Sequence, residues 1–261
     1  MNSFLFLLLH FLSSISMGRS QTTVPSLIFV LAGQSNMAGR GGVSHGVWDR
    51  VVPPESRPSP SVLRLDAALR WVEAREPLHA DVDRGRTCGV GPGLPFANSV
   101  RPAAGAAAVG LVPCAVGGTR IAEWARGTEH YERMMRRAKA AAAGAEGGRV
   151  EGVVWYQGES DTREREDADM YRGRMEQLVM DVRDDLAHPS LLFIQVALAS
   201  GEGNFTEIVR EAQKGISLPN VICVDAKGLP LQDDHLHLTT QAQVQLGKML
   251  ATAYLNHVGK K

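Results

Sequence analysis

The sequence predicts an α/β protein built on a parallel sheet with helices on both faces, and three observations carry that expectation. Short apolar runs alternate along the chain with longer segments of helical period. The runs are apolar at successive positions and rich in β-branched residues, as strands are when helices cover both faces. The intervening segments repeat their apolar residues at spacings of three and four, which is one face of an amphipathic helix.

The candidate strands, in order, are Ser26–Ala32 (SLIFVLA), Ala106–Val112, Val150–Trp155, Leu191–Ala197 and Val221–Val224. Before the third strand, Tyr131, Met134, Met135, Ala138 and Ala142 form one helical stripe. Between the third and fourth, Ala168, Tyr171, Met175, Leu178, Val179, Val182 and Leu186 form a second. Ala242, Leu246, Met249, Leu250 and Ala253 form a third at the end of the chain, opened by Thr240-x-x-Gln243, the spacing of a capping box. Strand–helix–strand order of this kind requires right-handed crossovers and a parallel sheet. No internal repeat and no second core pattern interrupts it, so residues 19–261 are read as a single domain.

Two segments stand outside the alternation. Residues 4–12 (FLFLLLHFL) form a short apolar core followed by small residues, with Ser16 and Gly18 flanking Met17, which reads as a signal peptide over residues 1–18 and hence a secreted, extracellular or cell-wall protein. Without cleavage the protein would stay in the cytoplasm. The second segment, Gly39 to Pro95, carries VVPPESRPSP and many charges, and is expected to be a long loop insertion that forms a wall of the functional site.

Composition excludes several classes. Lys+Arg and Asp+Glu both number 28 in 261 residues, so there is no basic excess of the kind a nucleic-acid partner requires. No apolar run reaches the roughly 18–20 residues of a membrane-spanning helix, so no membrane role is expected once the leader is removed. The three cysteines, Cys88, Cys114 and Cys223, cannot pair completely; Cys114 and Cys223 lie in apolar runs and are expected to be small buried core residues.

The residues that carry chemistry cluster at strand ends. The first strand runs into Gly33-Gln34-Ser35-Asn36-Met37, which puts Ser35 at the carboxyl edge of the sheet, where open α/β sheets bind ligands. The second strand leads to Val116-Gly117-Gly118-Thr119, and the third to Gln157-Gly158-Glu159-Ser160-Asp161. Backbone N–H groups of the glycine turn and the carboxamide of Gln157 are suitable neutral donors to an oxyanion. Before the last helix, Asp234 and His237 stand three apart. A serine nucleophile needs a base, and the base needs a carboxylate to fix its tautomer, so Ser35, His237 and Asp234 supply the three parts of one machine. Asp233 and His235 beside them are competing members of the same loop.

GQSNMAGRGG, VPCAVGGTRIAEW, WYQGESD and DDHLHLTTQAQVQLG together resemble the SGNH/GDSL hydrolase superfamily, and within it carbohydrate esterase family six, its plant members and the sialate O-acetylesterases. The likeness spans nearly everything after the leader. It implies a flavodoxin-like three-layer αβα sandwich and O-deacetylation of carbohydrates, acetylated xylan among them, without a cofactor or metal. Carried onto this sequence, it implies Ser35 as nucleophile, His237 as base and Asp234 as its acid. The oxyanion hole is implied at Ser35, Gln157 and one of Gly117 and Gly118. The chain departs from the older members of the superfamily in having G-Q-S-N where they have G-D-S, and Gln157 where they have asparagine.

Two other readings stand beside this one. His235 and His237, with Asp233, Asp234 and His79, could form a metal site, although firm zinc motifs space their histidines four apart on a helix. A non-catalytic carbohydrate-binding protein could use the same fold, with Trp48, Trp71, Trp124 and Trp155 stacking on sugar rings.

Overall fold

The computed structural model describes residues 24–144 and 149–259. The leader reading over residues 1–18 therefore lies outside the described residues. Among the described residues nine strands form: β1 (Leu27–Gly33), β2 (Val43–Ser44), β3 (Val47–Trp48), β4 (Val62–Leu65), β5 (Trp71–Glu73), β6 (Val109–Pro113), β7 (Gly152–Tyr156), β8 (Leu192–Ala197) and β9 (Val221–Asp225). Helices are α1 (Ser35–Ala38), α2 (Gly93–Ala103), α3 (Glu129–Ala143), α4 (Arg165–Asp185), α5 (Thr206–Lys214) and α6 (Thr240–Val258).

Seven strands make one sheet in the order β5-β4-β6-β1-β7-β8-β9, parallel throughout except for β5. All five expected strands are present, within a few residues of the expected bounds. β1 occupies the middle, and every residue in it after Leu27 is buried. The chain builds outward from β1 to β4 and β6 on one side, then crosses to β7, β8 and β9 on the other. That reversal makes the carboxyl end of β1 the topological switch point of the sheet, where a crevice opens between diverging connections.

The register separates the two faces. Phe29 pairs with Gly152, so Trp155, three positions further along β7, points to the opposite side. On the first side Phe29 meets Phe96 of α2 and Tyr254 of α6 edge-on, with ring centroids 4.8 and 5.0 Å apart. On the second, Trp155 meets Trp124 at 5.2 Å and its indole N–H donates to Tyr171 of α4. Each aromatic buries apolar surface and adds a favourable edge-to-face contact. The result is the three-layer αβα sandwich that the sequence implied.

Three expectations are corrected. Residues 39–95 are not only a loop: they contain the β2–β3 hairpin, and β4 and β5, which extend the sheet beyond β6. The strands escape notice because VLRL and WVE are only four and three residues long and each carries a charge, with WVE at the edge of the sheet. The cap of α6 is Thr239, whose hydroxyl accepts from Ala242 N at 3.2 Å, so the capping box at Thr240 and Gln243 does not form; Gln243 turns inward instead. Cys223 is exposed on the edge strand β9, while Cys88 and Cys114 are buried.

Candidate active site

Ser35 opens the single helical turn α1 directly after β1. The chain reaches it through Gly33, whose φ is 127° and whose missing side chain leaves room for the Tyr156 carbonyl of β7; any Cβ there would overlap that carbonyl. Ser35 is thereby held at the floor of the crevice, with only 5% of its surface exposed.

His237 arrives from the loop between β9 and α6. Its Nε2 is 2.9 Å from Ser35 Oγ, and its Nδ1 is 2.6 Å from Asp234 Oδ2. With the proton on Nδ1 donated to the carboxylate, Nε2 is left to accept from the serine hydroxyl. Asp234 also organises the loop, since its Oδ1 accepts from the N–H groups of Leu236 and His237 at 3.0 and 2.9 Å. Partial burial works against the carboxylate, but those N–H groups and the imidazole outweigh it and hold the carboxyl below its ordinary value. Asp234 is an anion at neutral pH.

A cleft of about 610 Å³ opens above these groups, lined in part by Ser35, Gly118, Asp234 and His237. Three arginines also line it. Arg40 is buried and ion-paired with Asp83 at 2.6 Å, and Arg163 pairs with Glu202. Arg86 is exposed, lies over the Gly117–Gly118 turn, and forms no ion pair among the described residues. Arg40 and Arg86 belong to the 39–95 excursion.

The two glycines and Gln157 are not equivalent. Gly117 N–H donates to Asp83 at 3.3 Å, whereas Gly118 faces the cleft. Gln157 is fully buried and does not line the cleft. Its NH2 group lies within hydrogen-bonding distance of three acceptors, Asp161 Oδ2 (2.6 Å), Thr119 O (2.8 Å) and Gln34 Oε1 (3.1 Å). An amide has two N–H bonds to give, and here acceptors of the polar layer beneath the site take them.

The histidine cluster does not assemble. His79 is buried with Nε2 3.4 Å from Leu31 O, and His235 faces the cleft from a left-handed turn (φ 56°). Among the described residues no group of three or more His, Cys, Asp or Glu is arranged to hold a metal ion. None of the four tryptophans lines the cleft; Trp124 and Trp155 are core residues.

Sequence reasoning missed the polar layer under the serine. Gln34 Oε1 lies within reach of Gly158 and Ser160 N–H as well as Gln157. Asp161 is buried and bonds Ile121 N as well as Gln157; burial pushes its carboxyl up to about 7 against those bonds. The available signal was the run of polar residues immediately after an apolar strand, WYQGESD, which has no place in a simple turn.

Comparisons with known proteins give the family and the fold. A family model described as carbohydrate esterase, sialic acid-specific acetylesterase, matches residues 25–256. A probable carbohydrate esterase of Arabidopsis thaliana is 56% identical over 241 residues, covering 89% of this chain and 92% of the relative. The X-ray structure of that Arabidopsis protein superposes with a TM-score of 0.85 over 89% of this chain and 98% of the other, at 55% identity. The crystal structure of NanS shares the fold with a TM-score of 0.74 at 18% identity, covering 92% of this chain and all of NanS. The chain belongs to the carbohydrate esterase family of sialic acid-specific acetylesterases and is a carboxylic ester hydrolase.

Proposed function

We propose that the protein is a serine esterase that removes O-acetyl groups from a carbohydrate through a Ser35–His237–Asp234 triad and an acyl-enzyme. The observation that supports this reading most directly is the continuous chain of short hydrogen bonds, 2.6 Å from Asp234 to His237 and 2.9 Å from His237 to Ser35. Residues 202 positions apart in sequence meet there at the floor of a cleft.

The chemistry follows from the geometry. Ser35 Oγ attacks the acetyl carbonyl carbon as His237 Nε2 takes its proton, and Asp234 stabilises the resulting imidazolium. The negative charge gathers on the carbonyl oxygen, which the N–H groups of Ser35 and Gly118 receive. Gly118 rather than Gly117 takes this role because the Gly117 N–H already donates to Asp83. Collapse of the intermediate breaks the bond to the sugar oxygen, which takes the proton from His237. Water then repeats the cycle on the acetyl-enzyme and releases acetate. Every role is filled by a side chain or a backbone N–H, so no cofactor enters. The uncompensated guanidinium of Arg86 beside Gly118 gives the incoming substrate a cation to meet. The apolar leader supports a secreted enzyme acting on an extracellular glycan.

The test is acetate release from a panel of acetylated polysaccharides, acetylated xylan included, combined with an organophosphate that labels activated serines. Release together with a label on Ser35 supports the reading. A label on another serine such as Ser160, or activity that survives full labelling, overturns it.

A further inference from the structure

The residue after the serine carries a side chain with three hydrogen bonds, two of them to the loop that bears His237. Asn36 is fully buried. Its Nδ2 donates to Glu159 Oε1 at 2.8 Å and to Leu236 O at 3.3 Å, and its Oδ1 accepts from Leu238 N at 2.9 Å. Its own carbonyl accepts from Gln243 Nε2 at 3.1 Å, which ties it to α6. Leu236 and Leu238 are the two neighbours of His237. A side chain joined to Ser35 by one peptide bond thus grips the main chain on both sides of the imidazole that faces Ser35.

No other side chain outside the loop does this among the described residues. Ser200 Oγ donates to Leu236 O at 2.6 Å but reaches only that side, and Gln232 and Asp234 are themselves part of the loop. Half-exposed Asp234 orients the ring within the loop, yet it cannot set the distance from the loop to β1.

Glu159 decides which way Asn36 points. With the amide as placed, one N–H meets the carboxyl and the other meets Leu236 O, while the oxygen meets an N–H donor. Turned over, the oxygen would face two acceptors and the NH2 would face the Leu238 N–H, losing three bonds at once. Glu159 is itself fully buried, and its Oε2 has no partner. Burial pushes its carboxyl up to about 7, so it sits under Asn36 without the full cost of a buried charge.

We propose that Asn36, oriented by Glu159, is the positioning residue that sets the distance between Ser35 and His237. The proposal rests on the triad reading above. It gives the Q-S-N and Q-G-E segments one joint role, which is to hold together two parts of the machine that come from opposite ends of the chain. Productive geometry tolerates little error, since a misplacement of about 1 Å costs about 10²-fold in rate.

The experiment is steady-state kinetics on 4-nitrophenyl acetate and an acetylated oligosaccharide, with folding checked by circular dichroism and thermal melting. Asn36→Ala should lower kcat by about 10²-fold while KM stays within about twofold, because the cleft itself is unchanged. Glu159→Gln should keep kcat within about threefold, since the glutamine oxygen still accepts from Asn36. Asn36→Asp keeps the acceptor for Leu238 but loses the donors, and should be as slow as Asn36→Ala. Combining it with Glu159→Gln restores a donor–acceptor pair with reversed polarity, and should recover about tenfold of kcat, a coupling that a merely structural residue would not show. A folded Asn36→Ala enzyme with parental kcat, an effect confined to KM, or an Asn36→Asp enzyme that Glu159→Gln fails to rescue overturns the proposal. If Asn36→Ala does not fold, the Asn36→Asp pair decides. A parent whose activity survives Ser35→Ala would instead sink the triad reading beneath it.

Discussion

Ser35 and His237 meet from two contrasting regions of the molecule. Ser35 stands just past the end of the central strand, 5% exposed, over a layer of buried amides and carboxyls contributed by residues 34, 36, 157, 159 and 161. His237 stands on a loop whose acid, Asp234, has 48% of its side chain exposed. One half is fixed by the sheet and cannot move without disturbing the core. The other is fixed by a few hydrogen bonds of its own and by the grip of Asn36. The contrast fits a proposed nucleophile placed directly after the central strand, where its approach through Gly33 is packed against β7. The proposed base, which must accept and return a proton in each half-cycle, instead stands beside a carboxylate open to solvent.

The largest expected effect removes the buried partner. Ser35→Ala should lower turnover by about 10⁴-fold or more, with folding intact, as deletion of a nucleophile does in a serine hydrolase. Residual activity close to that of the parent, measured as acetate release, would mean that the buried half of the comparison is scaffold only.

A smaller loss is expected at the exposed partner. Asp234→Asn keeps an oxygen for the Leu236 and His237 N–H groups but turns an NH2 toward Nδ1, which favours the wrong imidazole tautomer. Turnover should fall about 10²–10³-fold with KM little changed. Asp233→Asn, exposed and without a bond to the histidine, should stay within about twofold of the parent. If Asp233→Asn is the crippled variant, the acid has been assigned to the wrong neighbour.

The two regions also differ in how far the sequence revealed them. The proposed trio could be picked out as candidates because each member adjoins a recognisable element: a buried apolar run before Ser35, and a terminal helix after Asp234 and His237. The strands of the sheet core were legible for the same reason, since burial on both faces leaves an uninterrupted apolar run. The supporting parts were not. α2 contains Pro95 and Pro102, which mask its helical period, and α5 is only nine residues long. Asn36, Gln157 and Glu159 lie inside the motifs that were noticed, but a polar residue at a strand end reads the same whether it faces substrate or the layer below. Burial and the bonds to Gln34 and Asn36 place Gln157 and Glu159 in the layer below.

Glu159 offers a way to sharpen the comparison through stability. Its carboxyl is raised from 4.5 to about 7 by burial, so the folded state holds the proton more tightly than the unfolded state does. Between those two values the native protein binds more protons, and its stability therefore falls as pH rises through the window and levels off above about 7. Glutamine cannot titrate. The melting temperature of Glu159→Gln minus that of the parent should increase by a few degrees from pH 5 to pH 8. Asp161, raised to about the same value, leaves a residual slope in the variant. A difference that stays flat with pH would show that the layer beneath Ser35 is not the desolvated environment described here.

The smallest effect is expected from chelation, and it bears on the exposed loop alone. Asp233, Asp234, His235 and His237 within five residues resemble a ligand set, so a metal would be the simplest alternative use for that region. The geometry argues for another use. Both ring nitrogens of His237 are engaged, one by Asp234 and one by Ser35, so a metal would have to displace a member of the triad to reach it. His235 lies on a left-handed turn and faces the cleft, while His79 is buried against Leu31 O under the sheet. Dialysis against EDTA should therefore leave acetate release unchanged, and added zinc should inhibit rather than activate, because a cation at Nε2 would take the lone pair that Ser35 requires. Activity lost on chelation and restored by zinc would reverse the comparison. The loop would then be the reactive half, and the serine only its neighbour.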